Sequence, residues 1–403
     1  MEHKPLGQLL RRPPRYGINA AAVPLAPGVA TYIRITDIDD SGRFSPDPKA
    51  GVDHVSAANY RLSAGELVFA RTGASVGKSY LYDSRDGELV YAGFLINVAP
   101  DPKRLNPKYL SLFAQTKEYW DWITRTSVRS GQPGVNGREY AQLPVPLPDV
   151  ATQDAIAAAM TDVDDMISTL ERLFAKKQEI KQGILQQLLT GKTRLPGFDY
   201  PWREARLGSL LKRTPRYGIN AAAVPFSIDT PTYIRITDID GSGRFVPQPR
   251  VGVRNPNAAD YILHEGELVF ARTGASVGKS YLYDAQDGVL VYAGFLINIA
   301  PDSEFLDPKY LSFFAQTAPY WDWVARTSVR SGQPGINGRE YAQLQMAVPD
   351  IREQRAIVGT VQKADDEICL LGRRLTKAKA VKQGMMQQLL TGRTRLNVEE
   401  GAV

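Results

Sequence analysis

The sequence is poor in the residues that build metal centres and covalent staples: it has one cysteine, Cys369, and three histidines among 403 residues. A single thiol closes no internal disulfide, and so few Cys and His side chains argue against a structural zinc site. Long apolar runs are also missing. None approaches the ~20 residues a bilayer-spanning helix needs, so no membrane partner is expected. The opening Met1-Glu2-His3-Lys4-Pro5 lacks the charged-then-apolar order of a secretory leader, which leaves the cytoplasm as the expected compartment. Signatures of catalysis are scarce too, with no His-Glu-x-x-His and no Asn/Asp-Pro-Pro-aromatic stretch of the kind that holds a flipped base. What remains is 43% hydrophobic and 23% charged, enough for two or three ordinary domain cores. A net charge of +6 is too small to identify a polyanionic partner by itself, so the placement of the basic residues has to decide.

The dominant feature is an internal repeat. Arg15-Tyr16-Gly17-Ile18-Asn19-Ala20-Ala21-Ala22-Val23-Pro24 recurs unchanged as Arg216 to Pro225, an offset of 201 residues. At the same offset Gly65–Asn97 recurs as Gly266–Asn298, differing only at Ser84/Ala285, Arg85/Gln286 and Glu88/Val289, and Arg125–Leu143 as Arg326–Leu344, differing only at Val135/Ile336. A solenoid unit is only about 20–50 residues long, so each copy is a domain rather than a repeat turn. Leu195-Pro196-Gly197-Phe198-Asp199-Tyr200-Pro201-Trp202 reads as the linker between them.

Each copy has two parts. The first, 1–150 and then 196–351, carries short β-branched runs (Tyr32 to Thr36, Glu66 to Ala70) separated by turn clusters (Asp39 to Gly42, Asp83 to Gly87). A helix is expected over Pro107 to Trp122, and Trp120 and Trp122 are read as core. The second part, 151–195 and then 352–403, is read as a long helix followed by linker or tail. Its apolar positions alternate at spacings of four and three: Ile156, Met160, Val163, Ile167, Leu170 and Phe174 in the first copy, then Lys177, Lys181, Ile184 and Leu188. The second copy gives Ile357, Val361, Ala364, Ile368, Leu371, Leu375, Ala378, Lys382, Met385 and Leu389. This is a heptad register weakened by lysines. Gly191 and Gly392 stand where helices stop. The reading is an α+β protein: two tandem α/β recognition domains separated by two long antiparallel coiled-coil helices, with pseudo-twofold symmetry. The competing reading packs each helix on its own domain. Asp164-Asp165 and Asp365-Asp366 are taken as solvated face charges.

Three polar segments carry the chemistry. Gly73-Ala74-Ser75-Val76-Gly77-Lys78-Ser79 resembles a phosphate loop, but it has three residues between its glycines where that loop needs four, and a strand-like run follows instead of a helix. Its glycines instead allow a tight turn bringing Arg71, Thr72, Ser75 and Lys78 (Arg272, Thr273, Ser276 and Lys279 in the second copy) towards a polyanion; a plain hairpin is the alternative. The run from 125 to 138 crowds Arg125, Arg129, Ser130, Gln132, Asn136 and Arg138 together, repeated as Arg326, Arg330, Ser331, Gln333, Asn337 and Arg339. Arginine reads guanine edges, Gln and Asn read adenine, and Ser and Thr suit phosphates, though a solvated loop has the same composition. The third segment offers Arg15, Tyr16 and Asn19, with Arg216, Tyr217 and Asn220; a plain lead-in to the first strand is the alternative. Between copies these polar loops are the same while the helices keep only their apolar pattern, the reverse of what drift in loops produces.

At this point the chain resembles the specificity subunits of Type I restriction–modification enzymes. The likeness lies in Lys-Gln-Gly (181–183, 382–384), Leu-Leu-Thr-Gly-Lys-Thr-Arg-Leu (188–195), Leu-Leu-Thr-Gly-Arg-Thr-Arg-Leu (389–396), Pro349-Asp350-Ile351-Arg352-Glu353-Gln354 and Phe69 to Lys78. One departure is Ala151-Thr152-Gln153, which lacks the Glu before Gln153. The resemblance implies a non-catalytic subunit whose two domains each read half of a bipartite site on double-stranded DNA, with the helices setting the gap. It implies two methyltransferase subunits as partners, which bring S-adenosylmethionine, while this chain holds no cofactor or metal; restriction subunits are an optional addition. The alternatives are a stand-alone DNA-binding scaffold and a phosphate-binding enzyme using 73–79.

Overall fold

The structure, a computed structural model, describes residues 2–392 and Thr394. The C-terminal tail, including Arg393, Arg395 and Leu396 of the second helix-end motif, lies outside the described residues. The chain divides into two compact units, Met1–Glu171 with Arg374–Val403, and Arg172–Arg373. Both unit boundaries fall inside a long helix.

In the first unit the strands are β1 (His3–Pro5), β2 (Leu10–Tyr16), β3 (Val23–Pro24), β4 (Ala30–Ile33), β5 (Ala50–Val52), β6 (Leu67–Ala70), β7 (Ser79–Leu81), β8 (Leu89–Tyr91), β9 (Leu95–Pro100) and β10 (Pro144–Pro146). One antiparallel sheet runs β2-β9-β6-β7; a second runs β3-β5-β4-β8, with β4 and β8 parallel; β1 pairs with β10. Strand β6 shows why the sheets stack. Its Leu-Val-Phe-Ala run is buried throughout, and the two-residue period of a strand sends alternate side chains to opposite faces. Leu67 and Phe69 enter a core shared with the helices; Val68 and Ala70 enter a separate core with Ile33, Ile38 and Tyr91.

The single helix expected over 107–122 is two: α1 (Pro107–Phe113) and α2 (Lys117–Thr126). Thr116 breaks it. Its hydroxyl donates to Phe113 O at 2.7 Å and accepts from Tyr119 N at 3.3 Å, closing one helix and capping the next. Trp122 packs against the core as expected, whereas Trp120 is 38% exposed. After α3 (Gly137–Ala141) comes α4 (Val150–Leu188). The second unit repeats this order through α5 (Pro308–Phe314), α6 (Ala318–Thr327), α7 (Gly338–Gln343) and α8 (Ile351–Leu390).

The long helices pair antiparallel, and each unit shows this on its own. In the first, Asp164 bonds Lys382 at 2.7 Å and Glu171 bonds Lys379 at 2.8 Å; in the second, Lys177 meets Glu367 and Lys181 meets Asp365, both at 2.6 Å. Partner numbers fall as α4 numbers rise. Every heptad position named from the sequence is buried or half-buried. The competing reading holds only at the N-terminal ends, where Ile156 and Met160 of α4 enter the core of the first unit; the C-terminal residues Met386, Leu389 and Leu390 of α8 enter that same core, as an antiparallel partner does. In the second unit Leu185, Leu188 and Leu189 of α4 join Ile357 and Val361 of α8.

The reading of the helix aspartates needs correction. Asp164 and Asp365 are not solvated face charges: each sits at the seam and receives a lysine, and Asp164 also takes Lys108 at 3.0 Å. The seam lysines are therefore matched to carboxylates on the facing helix. Burial alone would raise the Asp164 carboxyl, but the hydrogen bonds and charges of Lys382 and Lys108 outweigh it and hold the group below its ordinary value.

The missing Glu of the first copy does not cost α4 its cap, since Asp149 accepts from Thr152 N at 2.8 Å and from the Thr152 hydroxyl. Gln153, fully buried, ties the helix to its unit: its oxygen accepts from Asn106 N at 2.8 Å and its amide donates to Arg104 O and Pro148 O. Gln354 repeats this with Asp307, Phe305 and Pro349. Glu353 has a different duty. It receives Arg194 at 2.6 Å and the Trp202 indole at 3.1 Å, so both ends of the linker are anchored within the second unit. Gly191 and Gly392 take φ of 68° and 70°, the left-handed stop expected.

Candidate nucleic-acid interface

Three of the sequence segments meet in each unit around one aromatic ring. In the first unit β2 ends at Tyr16, whose hydroxyl accepts from Gly137 N at 3.1 Å. The Arg71 guanidinium lies 4.8 Å over the Tyr16 ring. Arg71 is held on both sides by its backbone: its N–H donates to Phe94 O at 3.0 Å and its carbonyl accepts from Val135 N at 2.9 Å. Thr72 bridges to Gly134, and Gly73 N donates to Pro133 O at 3.0 Å. The Gln132 amide nitrogen lies over Gly73, where a Cβ would approach it to 2.8 Å. Loop 125–138 is thus stitched to the end of β6 and to Tyr16. Pro13, Pro14, Tyr16, Asn136, Gly137 and Arg138 line a shallow depression beside them.

The second unit reproduces the arrangement: Arg272 lies 4.7 Å over Tyr217, whose hydroxyl accepts from Gly338 N at 3.1 Å, and Gln333 lies over Gly274. The Arg272 Nε is buried with no hydrogen-bond partner.

The glycine of the repeated Arg-Tyr-Gly-Ile-Asn run is demanded by this packing. A Cβ on Gly17 would sit 2.2 Å from Ala92 O and one on Gly218 2.2 Å from Ala293 O, so the strand can lie against the β8–β9 turn only without a side chain there. Asn19, exposed, comes to rest beside Gly93 of that turn.

The candidate cations fall into two groups. Arg15, Arg71, Arg125 and Arg138, with Arg216, Arg272, Arg326 and Arg339, form no ion pair among the described residues. Arg129 is already engaged: it grips both oxygens of Glu139 at 2.6 and 2.7 Å and donates to Thr126 O and Val128 O, as Arg330 does with Glu340, Thr327 and Val329. Lys78 is engaged by the Ile38–Asp40 segment, donating to Ile38 O at 3.4 Å and pairing with exposed Asp40 at 2.8 Å. Lys279 keeps the carbonyl contact at 3.3 Å, but Gly241 stands where Asp40 was.

Asn136 and Asn337 use their side-chain oxygens as helix caps, in a capping box with Glu139 and Glu340. Ser130 and Ser331 are exposed in the loop; Ser75 and Ser276 lie in short 3₁₀ turns. Sequence reasoning missed the part played by Arg12. It is committed to an internal network with Glu66 at 2.7 Å and fully buried Asn97 at 2.6 Å, repeated as Arg213, Glu267 and Asn298.

No Gly-x-Ser-x-Gly elbow is expected from the sequence, yet residues 73–77 do spell that pattern. A nucleophile elbow needs a helix after the serine and a histidine beside it. Here strand β7 follows, and the histidines of this unit are held elsewhere, His3 by Glu118 and His54 by Ser56 N. Behind the loop, Tyr119 donates to Gly77 O at 2.7 Å; burial pushes its phenol well above the ordinary value, so it serves as a fixed donor. No cluster of His, Cys, Asp and Glu able to hold a metal occurs among the described residues, and no helix among them is long and apolar enough to cross a membrane.

Residues 27–182 match the family described as the Type I restriction modification DNA specificity domain. Under the 201-residue offset, the second copy carries the same sequence features beyond that span. A protein of Methanocaldococcus jannaschii whose name proposes it as the specificity subunit of the type I restriction enzyme MjaX is 22% identical over 363 residues, 84% of this chain and 80% of that one. The fold is similar to the crystal structure of the HsdS subunit from Thermoanaerobacter tengcongensis (TM-score 0.51, 17% identity, 98% of this chain and 97% of that one). It is also similar to the S subunit of a Type-I restriction-modification system from M. genitalium (TM-score 0.60, 12% identity, 96% and 95%).

Proposed function

We propose that the chain is a Type I restriction modification DNA specificity protein, as the family match over residues 27–182 supports, and that each unit reads one half of a bipartite DNA target. On this reading it is the specificity subunit, and catalysis belongs to its partners. The observation that carries the proposal is the matched pair of sites: Arg71 on Tyr16 and Arg272 on Tyr217, each stitched to a loop bearing unpaired arginines and a glutamine, and each built from residues identical in the two copies. Sites with the same donors in the same frame read the same bases, so the two half-sites should be the same sequence on opposite strands, an inverted repeat with a fixed gap. The paired helices set that gap. They also offer the surface on which two methyltransferase subunits dock; those partners bring S-adenosylmethionine and methylate adenine in the cytoplasm, with restriction subunits as optional additions.

Purifying the full chain from its host tests the partnership. A copurifying methyltransferase supports it; a chain that binds DNA with no such partner supports the stand-alone scaffold instead. Inserting one heptad into both helices should lengthen the gap in the selected target. An unchanged gap contradicts the spacer role.

A further inference from the structure

Most large apolar side chains exposed on the two units change between the copies, as Leu25 becomes Phe226 and Val55 becomes Pro256. Four pairs do not: Tyr16/Tyr217 and Trp120/Trp321, Val128/Val329 in the arginine-bearing loop, and Phe94/Phe295. Phe94 and Phe295 are 58% and 57% exposed, and each occupies the tip of the tight turn leaving the eighth strand of its copy, closed by Leu95 N to Ala92 O at 2.8 Å and by Leu296 N to Ala293 O at 2.8 Å. An exposed phenyl ring adds nothing to a core, and a polar residue would suit this turn in water equally well.

Its neighbours point to a polyanion. The carbonyl of Phe94 receives the Arg71 N–H, so the ring is carried by the same short span of backbone that holds the unpaired guanidinium over Tyr16; Asn19 lies against the adjoining Gly93. Phe295 stands in the same relation to Arg272 and Asn220. An apolar ring beside free arginines and amides is the composition of a protein surface that reaches base edges or base faces, because nucleic-acid bases are the apolar part of a polyanion.

We propose that Phe94 and Phe295 make direct apolar contacts with DNA bases and so determine specificity, one residue per half-site. This rests on the DNA-reading function above. The shared chemistry is a phenyl ring against either the 5-methyl group of thymine or the face of an unstacked base. Both exist only on the bases, so the contact carries sequence information that a phosphate contact does not.

The test uses the full chain with whatever partners copurify with it, and a random-sequence duplex pool as probe. Wild type, Phe94→Ala and Phe295→Ala are each taken through binding selection, then titrated on the wild-type motif at several salt concentrations. Each variant should relax the selected sequence at one or two positions of one half-site and weaken binding by about 5- to 150-fold, the range for losing one aromatic–base contact. The salt dependence should stay unchanged, because no charge is removed. Replacing thymine by uracil at the relaxed positions reproduces the loss if the methyl group is the partner; permanganate reactivity of a thymine there, lost in the variant, marks an unstacked base. Either result supports the contact. Variants that select the wild-type motif with wild-type affinity overturn it. A wild-type chain that enriches no motif overturns the DNA reading itself, which separates the two failures. Since both rings are exposed, unchanged circular dichroism and melting confirm that the variants fold.

Discussion

Replacing Arg71 by alanine, alone and together with Arg272→Ala, asks the most of the proposed interface. The folding cost should be small. Each guanidinium lies 4.8 or 4.7 Å over a half-exposed tyrosine, an arrangement worth about 0.5–1 kcal/mol, and each tyrosine keeps its hydrogen bond from Gly137 or Gly338. The binding cost should be larger. Arg71 is fixed by backbone hydrogen bonds on both sides, so its two-pronged donor is oriented before DNA arrives. A two-pronged contact with guanine is worth about 1–3 kcal/mol, roughly 5- to 150-fold per half-site. If the two sites act independently, the double variant loses about 2–6 kcal/mol.

The assay is competition titration of the wild-type-selected duplex against random duplex at several salt concentrations. Base reading predicts that Arg71→Ala loses affinity mainly for the selected duplex and that Arg71→Lys recovers little, since lysine keeps the charge but not the fork. A phosphate contact instead lowers affinity for both duplexes, reduces the salt slope by about 0.9, and is largely restored by lysine. Unchanged binding to both duplexes at every salt concentration refutes the assignment of Arg71 to the interface.

Further expectations concern the copies and the seam. Asp40→Gly frees Lys78 as Gly241 already frees Lys279, so it should strengthen DNA binding and steepen its salt dependence, while Gly241→Asp does the opposite; salt-dependent titration reads both. Lys382→Met leaves half-buried Asp164 with Lys108 alone and should cost about 1–2 kcal/mol at neutral pH by chemical denaturation. Because the folded Asp164 carboxyl lies below its unfolded value, its contribution is fully present above the ordinary aspartate range and is lost as pH falls through the folded value; melting curves in acid should show that loss in wild type and less of it in Lys382→Met. Gln354→Leu strands the Asp307 N–H and should destabilise the second unit by about 1–3 kcal/mol in a thermal melt.

The repeat and the heptads were legible because both are periodic, and periodicity survives without tertiary information. Gly17 and Gly218 stood out as parts of an unchanged block, yet only the approach of Ala92 O and Ala293 O gives them a reason. Composition failed where a side chain could serve either partner. Arg129 and Arg71 look equally free in sequence, but Glu139 lies ten residues beyond Arg129 and claims it, whereas Arg71 finds only a ring. The seam aspartates misled for the same reason: on a lone helix they are surface charges, and their lysines come from the facing helix. Thr116 was a capping residue in plain view, overridden by an apolar pattern that runs through the break.

The most direct measurement of the central claim is the methylome of the host with this gene present and deleted. Two matched sites of identical residues predict that the marks lost on deletion define one half-site sequence repeated in inverted orientation across a fixed gap. Two unrelated half-sites, with the loops of both units intact, would contradict the claim that these residues do the reading.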